Sequence, residues 1–131
     1  MKTSGIDFIG DIHGYADELK HLLNKMGYFR KETTWKHSNR MAFFVGDFID
    51  RGPKIVNTLN IVRHMVNSGT AKAVMGNHEY NAICFNQVME GGGYLRGQSD
   101  KNKHQHAETV KQFRGKEKEY AEAIRWFEVS V

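Results

Sequence analysis

With 131 residues and a single cysteine, the chain has room for one core but cannot form an internal disulfide or a cysteine-built zinc cage. Hydrophobic residues make up 40% and charged residues 26%, the balance of a globular domain rather than of a disordered or membrane-spanning one. Most of the net charge of +4 sits between Arg96 and Glu119, where only Phe113 is aromatic, so this run reads as a solvated helical face rather than a nucleic-acid groove. Met1-Lys2-Thr3-Ser4-Gly5 leads straight into an apolar run with no signal-peptide core, and the expected setting is cytoplasmic, away from membranes.

In chain order, Ile6 to Ile9 predicts a short strand ending at Gly10, followed by a helix whose apolar face is Leu19, Leu22, Leu23 and Met26 and which stops at Gly27. Tyr28 to Arg40 has no clean period and is expected to be a loop or short hairpin. Met41-Ala42-Phe43-Phe44-Val45 is continuously apolar, the pattern of a parallel strand covered on both faces. Pro53 is placed to open a helix that buries Ile55, Leu59, Val62 and Val66 before Gly69, and Ala71 to Met75 predicts a third strand. The order β-α-β-α-β implies parallel strands in an α/β fold with right-handed crossovers, whose ligands gather beyond the carboxyl ends of the strands. After Glu79 the pattern weakens. A short helix is expected before Gly91-Gly92-Gly93 and a polar helical region after it. An amphipathic helix follows over Glu119 to Phe127, and Val129-Ser130-Val131 reads as the start of a fourth strand.

Each of the three strands runs into a motif: Gly10-Asp11-Ile12-His13-Gly14, Gly46-Asp47-Phe48-Ile49-Asp50-Arg51-Gly52-Pro53 and Gly76-Asn77-His78-Glu79. Phosphate-ester hydrolysis at neutral pH needs an activated water, a counter-charge for the phosphoryl oxygens and a proton for the leaving oxygen, and two cations roughly 3.5–4 Å apart supply the first two. Asp11 and His13, alternating across a strand end, suit one manganese, iron or zinc ion. Asp47 is placed to bridge two ions, and Asn77 offers a carbonyl oxygen to the second. His78 fits the proton donor, Asp50 its carboxylate partner, and Arg51 a planar fork for phosphate. Taken singly, these residues have plainer readings: Asp47 or Asp50 as a helix cap, Asn77 in a left-handed turn, His78 as a packed histidine.

The Gly-Asp-Phe-Ile-Asp-Arg-Gly-Pro and Gly-Asn-His-Glu forms resemble the calcineurin-like metallophosphoesterase superfamily, in particular its serine/threonine protein phosphatase and diadenosine tetraphosphatase branch. The likeness is strong over residues 6 to about 80. It implies a binuclear metallophosphatase that uses metal-bound hydroxide on phosphomonoesters or phosphoanhydrides. Asp11, His13 and Asp47 would take one metal and Asp47 with Asn77 the other, manganese first and iron or zinc as alternatives. His78, Asp50 and Arg51 would be catalytic, and Arg51 and Asn77 would contact a substrate: a phosphoprotein, a dinucleoside polyphosphate or a small phosphate ester.

By the same resemblance, residues 1–131 form one partial domain. It is the parallel βαβαβ half of a metallophosphoesterase sandwich, with the second sheet largely missing and a helical insert at about 80–128. Further metal-binding histidines of the family lie beyond such a half, so the chain by itself is expected to hold at best one ion weakly. Its turnover is expected to be impaired, which leaves a noncatalytic metal- or phosphate-binding module as the alternative. An apolar sheet face left open would favour self-association. His104 and His106, spaced i, i+2, are weighed as replacement ligands but read as exposed; His21, His37 and His64 fit surface or helix-face positions. Cys84, Trp35 and Trp126 read as packing residues.

Overall fold

The computed structural model describes residues 3–130. Its elements run β1 (Gly5–Ile9), α1 (Ala16–Lys25), β2 (Phe29–Lys31), β3 (Thr34–Lys36), β4 (Arg40–Phe44), α2 (Ile55–Asn67), β5 (Ala71–Ala73), α3 (Asn77–Asn86), α4 (Asp100–Gln112) and α5 (Glu117–Ser130). The expected β-α-β-α-β core is present. Strands β1, β4 and β5 form a parallel sheet in the order β1-β4-β5, and the aperiodic segment folds as the β2–β3 hairpin.

The helical spacing places Leu19 and Leu23 of α1 and Ile55, Leu59, Val62 and Met65 of α2 in one buried cluster with Ile9, Ala42, Phe44 and Ala71 of the sheet. Both helices close with the same pair of carbonyl contacts, Tyr28 N–H to Leu23 O and Gly27 N–H to Asn24 O after α1, Thr70 N–H to Met65 O and Gly69 N–H to Val66 O after α2. At the amino ends of β1 and β4, Arg40 forks onto Asp7 at 2.9–3.2 Å and the Tyr28 hydroxyl donates to the same carboxylate at 2.8 Å. The Arg40 guanidinium holds the Asp7 carboxyl below its ordinary range.

The opposite face of the sheet departs from the double coverage expected of Met41 to Val45. Register pairs Ile6 with Met41 and Phe8 with Phe43, and on this side Ile6, Phe8, Val45 and Val74 are exposed, Phe8 by 71%. The strand is apolar throughout, but among the described residues only one of its faces is covered. This agrees with the expectation that a second sheet is largely missing.

The fourth strand is corrected: Val129 and Ser130 continue α5, and Val131 lies outside the described residues. Ala123, Trp126 and Phe127 are buried on one helical face, and that packing outweighs the strand preference of a terminal Val. Pro53 also lies two residues before the helix it is expected to open, since α2 begins at Ile55 after Lys54 as its N-cap. Trp126 packs against Phe48 and Phe127 and under the Arg63 guanidinium, Trp35 is packed at the core margin, and Cys84 is buried, all as packing residues.

Candidate metal centre

All three motifs occupy the carboxyl ends of β1, β4 and β5, so sheet order alone brings their loops together. The first two loops are laced by backbone bonds: His13 N–H to Asp47 O (2.8 Å), Gly14 N–H to Phe48 O (2.7 Å) and Gly52 N–H to His13 O (2.7 Å). Ile12, Phe48 and Ile49, interleaved with the polar residues, are sunk in the core and anchor each loop from below. Asp11 and His13 do not alternate along a strand. They sit past its end at φ of 54° and 45°. Asp47, Asp50 and Arg51 share this left-handed conformation, so of six such non-glycine residues among those described only Glu32, in the β2–β3 turn, lies elsewhere. Strain of this kind, about 1–3 kcal/mol per residue, persists only where surrounding contacts enforce it.

The third loop is tied in by Glu79. Its carboxylate is fully buried and accepts Asp47 N–H (2.6 Å), Phe48 N–H (2.9 Å) and Gly76 N–H (2.9 Å). Burial raises the Glu79 carboxyl above its ordinary value; the three amides pull against that rise without cancelling it. Gly46, at φ of 92°, and Gly76 are required by close approach: a Cβ on the first would strike the Gly76 backbone, and one on the second the Asp47 carboxylate.

One ligand atom from each of Asp11, His13 and Asp47 lies within 4.8 Å of the others. The buried His13 ring donates Nδ1–H to the Ile49 carbonyl at 2.9 Å, which leaves Nε2 as the free lone pair, the usual arrangement behind a metal-binding imidazole. Two carboxylates and one imidazole are a donor set that fits manganese, iron or zinc. Asp47 Oδ1 also accepts His78 N–H at 3.1 Å, and the His78 ring meets that of His13 edge to face at 4.6 Å. Asn77 is exposed at the first position of α3, in a helix rather than a turn, and Arg51 is exposed beside Asp50.

Asp50 is 3% exposed and its Oδ2 accepts His78 Nδ1–H at 2.7 Å. Its other oxygen takes two contacts absent from the sequence-based expectation: His106 Nδ1–H at 2.8 Å and the Thr109 hydroxyl at 2.6 Å. Burial pushes the Asp50 carboxyl up, but the hydrogen bonds from His106, Thr109 and His78 outweigh it and hold the group below its usual range. His106 is therefore corrected from exposed to buried, at 5%, and it lies outside the cation cluster, whereas His104 is exposed as expected. His21 and His64 are exposed and His37 packs on the Tyr28 ring, none of them near the centre. A stripe in the polar helix carried the missed signal: His106, Thr109 and Phe113, at i, i+3 and i+7, are the buried residues of this segment.

The sequence profile of the calcineurin-like phosphoesterases matches residues 5–128. A bis(5'-nucleosyl)-tetraphosphatase PrpE [asymmetrical] of Oceanobacillus iheyensis is 44% identical over 92 residues, 67% of this chain and 37% of that protein. Its counterpart from Halalkalibacterium halodurans is 47% identical over 73 residues, 55% of this chain and 30% of its own length. A crystal structure of a cold-active protein tyrosine phosphatase superposes with a TM-score of 0.54 at 24% identity, over 65% of this chain and 27% of that one, a likeness of fold. The chain thus spans about a third of the length of the curated relatives it matches. With the profile covering nearly all of it, the chain belongs to the calcineurin-like phosphoesterase family.

Proposed function

We propose that the chain carries the cation-binding and proton-donating half of a metal-dependent phosphohydrolase whose substrates are phosphoanhydrides of the dinucleoside polyphosphate type. The convergence of Asp11, His13 and Asp47 beside the His78–Asp50 pair carries this reading. The tetraphosphatase names of the relatives favour the anhydride class over a phosphoprotein or a simple monoester.

Asp11, His13 and Asp47 would hold one divalent cation, manganese first, and Asp47 with Asn77 would contribute to a second. A cation bound here would neutralise phosphoryl charge and raise the acidity of water. His78 would supply the proton to the leaving oxygen from Nε2, its other nitrogen being engaged by the Asp50 carboxylate. Arg51, exposed at the rim, would receive the phosphate through its fork, with Asn77 beside it. Among the described residues the cation cluster offers three donors, so one weakly held ion and slow turnover are assigned to this chain alone. The setting assigned is cytoplasmic; among the described residues no helix is long and apolar enough to cross a membrane.

The test is manganese titration of the chain, followed by chromatographic assay of a dinucleoside tetraphosphate. Manganese-dependent cleavage that is lost in His78→Asn supports the proposal. Cation binding without cleavage of any phosphate ester would favour the noncatalytic module, and absence of cation binding would overturn both.

A further inference from the structure

The segment after α3 makes a second chain of contacts that ends on the proposed proton donor's partner. From Asn86 Nδ2 the chain runs 2.7 Å to the Tyr120 hydroxyl and 2.7 Å on to His106 Nε2. From His106 Nδ1 it runs 2.8 Å to Asp50 Oδ1, and from Asp50 Oδ2 2.7 Å to His78 Nδ1. Thr109 closes the far side, donating its hydroxyl to Asp50 Oδ1 and accepting Asp50 N–H at 3.0 Å. The direction of each bond follows from donor counting. An amide nitrogen only donates, so Asn86 gives a proton to the Tyr120 oxygen. An ionised carboxylate only accepts, so both histidines present Nδ1–H to Asp50. The Tyr120 proton then has one acceptor in the chain, the unprotonated Nε2 of a neutral His106. A doubly protonated His106 would leave the half-buried Tyr120 hydroxyl proton without an acceptor in this chain of contacts. From Asn86 through Tyr120 and His106 the donors all point toward Asp50, and His78 donates to it from the other end.

We infer that His106 is a positioning residue for the Asp50–His78 pair: fixed as the Nδ1–H tautomer by Tyr120 and Asn86, it holds Asp50 from the side opposite His78, so that the helical segment sets the orientation of the proton donor. Asp50 needs such a hold. Its backbone sits at φ of 68°, a conformation that a non-glycine residue leaves when unrestrained, and its carboxylate joins the motif loop to α4. Phe85 of α3 packs on the His106 ring at 5.3 Å, so the residue that steadies Asp50 is itself wedged against the helix that carries His78. Without His106, Asp50 Oδ1 retains only Thr109, and the carboxylate is free to rotate away from His78.

This inference rests on the proposed role of His78, but its test reads geometry rather than turnover. Histidine ring nitrogens in the intact chain are followed by long-range proton–nitrogen NMR. The expected result is the Nδ1–H form for both His78 and His106, in place of the Nε2–H form that an unrestrained neutral histidine prefers. In folded His106→Ala, the His78 signal should move to mixed tautomers. His106→Asn, whose amide nitrogen falls near the lost Nδ1, should restore it, and Tyr120→Phe should scramble His106 itself. If His106→Ala fails to fold, the Asn and Phe variants carry the same comparison. With manganese and an aryl phosphate, His106→Ala should lower kcat roughly 10-fold or more with KM little changed, and His106→Asn should recover most of the loss. An Nε2–H form at His106, or a His78 tautomer unmoved in folded His106→Ala, overturns the inference. If the tautomers shift as expected while no variant or parent hydrolyses phosphate, it is the proposed activity that fails and the positioning contact that stands.

Discussion

The three strand-end loops and the α4–α5 brace both converge on Asp50, yet they are built on opposite principles. The loops hold their side chains by local strain, with left-handed residues at Asp11, His13, Asp47 and Asp50, and by apolar pegs at Ile12, Phe48 and Ile49. The brace holds its side chains by ordinary helix geometry, placing His106, Thr109 and Gln112 on one face of a regular polar helix. The difference shows how a strained motif is kept in place: the loops that carry the candidate cation donors are short and distorted, and regular secondary structure some 56–60 residues further on steadies them.

Removing Glu79 should damage this arrangement most, because its buried carboxylate ties the third loop to two backbone amides of the second. Glu79→Ala orphans three backbone donors and is expected to cost at least about 3 kcal/mol in urea unfolding, with Glu79→Gln milder. On the brace side, Thr109→Val strips Asp50 of one hydroxyl donor and one amide acceptor, and should cost about 1–3 kcal/mol. Gln112 caps α2 across the same boundary, accepting Ile55 N–H at 2.6 Å and donating to Gly52 O at 2.8 Å; Gln112→Ala should cost about 1 kcal/mol.

Acid should act on the same join. Asp50 and Asp7 both lie below their ordinary carboxyl values when folded, so their contribution is fully present above the unfolded value near 3.8 and is lost as pH falls through the folded values. The share of Asp50 and Asp7 in the melting temperature should hold from neutrality to about pH 5 and be lost below pH 4, Glu79 with its raised carboxyl acts in the opposite sense, and Asp50→Asn should flatten the acid-side drop. The smallest effect belongs to the open sheet face. Phe8→Ser should change stability by no more than about 0.5 kcal/mol while reducing any self-association seen in sedimentation.

Legibility in the sequence follows the same division. Asp11, His13, Asp47 and His78 were readable because each stands at a fixed short distance after an apolar strand, and parallel strands deliver their ends to one rim. Asp50 as partner of His78 was readable from the chemistry a proton-donating imidazole needs. His106, Thr109 and Tyr120 were not. Their roles depend on the rotational phase of two helices whose connections to the sheet run through irregular chain, and a His in a lysine-rich polar helix looks like surface. Glu79 stood inside a recognised motif, but nothing in its spacing announced that it would be buried beneath the Asp47 and Phe48 amides. The end of the chain misled for a simpler reason: Val129 is a strand former by preference, and burial of Trp126 and Phe127 decided in favour of the helix.

The central claim is that Asp11, His13 and Asp47 make one cation site, and paramagnetic manganese tests it most directly. Added stepwise to chain with nitrogen-labelled histidines, it should broaden His13 first and His78 next, and Asp47→Ala should abolish both effects at the same concentrations. Broadening that instead begins at an exposed ring such as His104 and leaves His13 sharp, or that survives Asp47→Ala unchanged, would contradict the account.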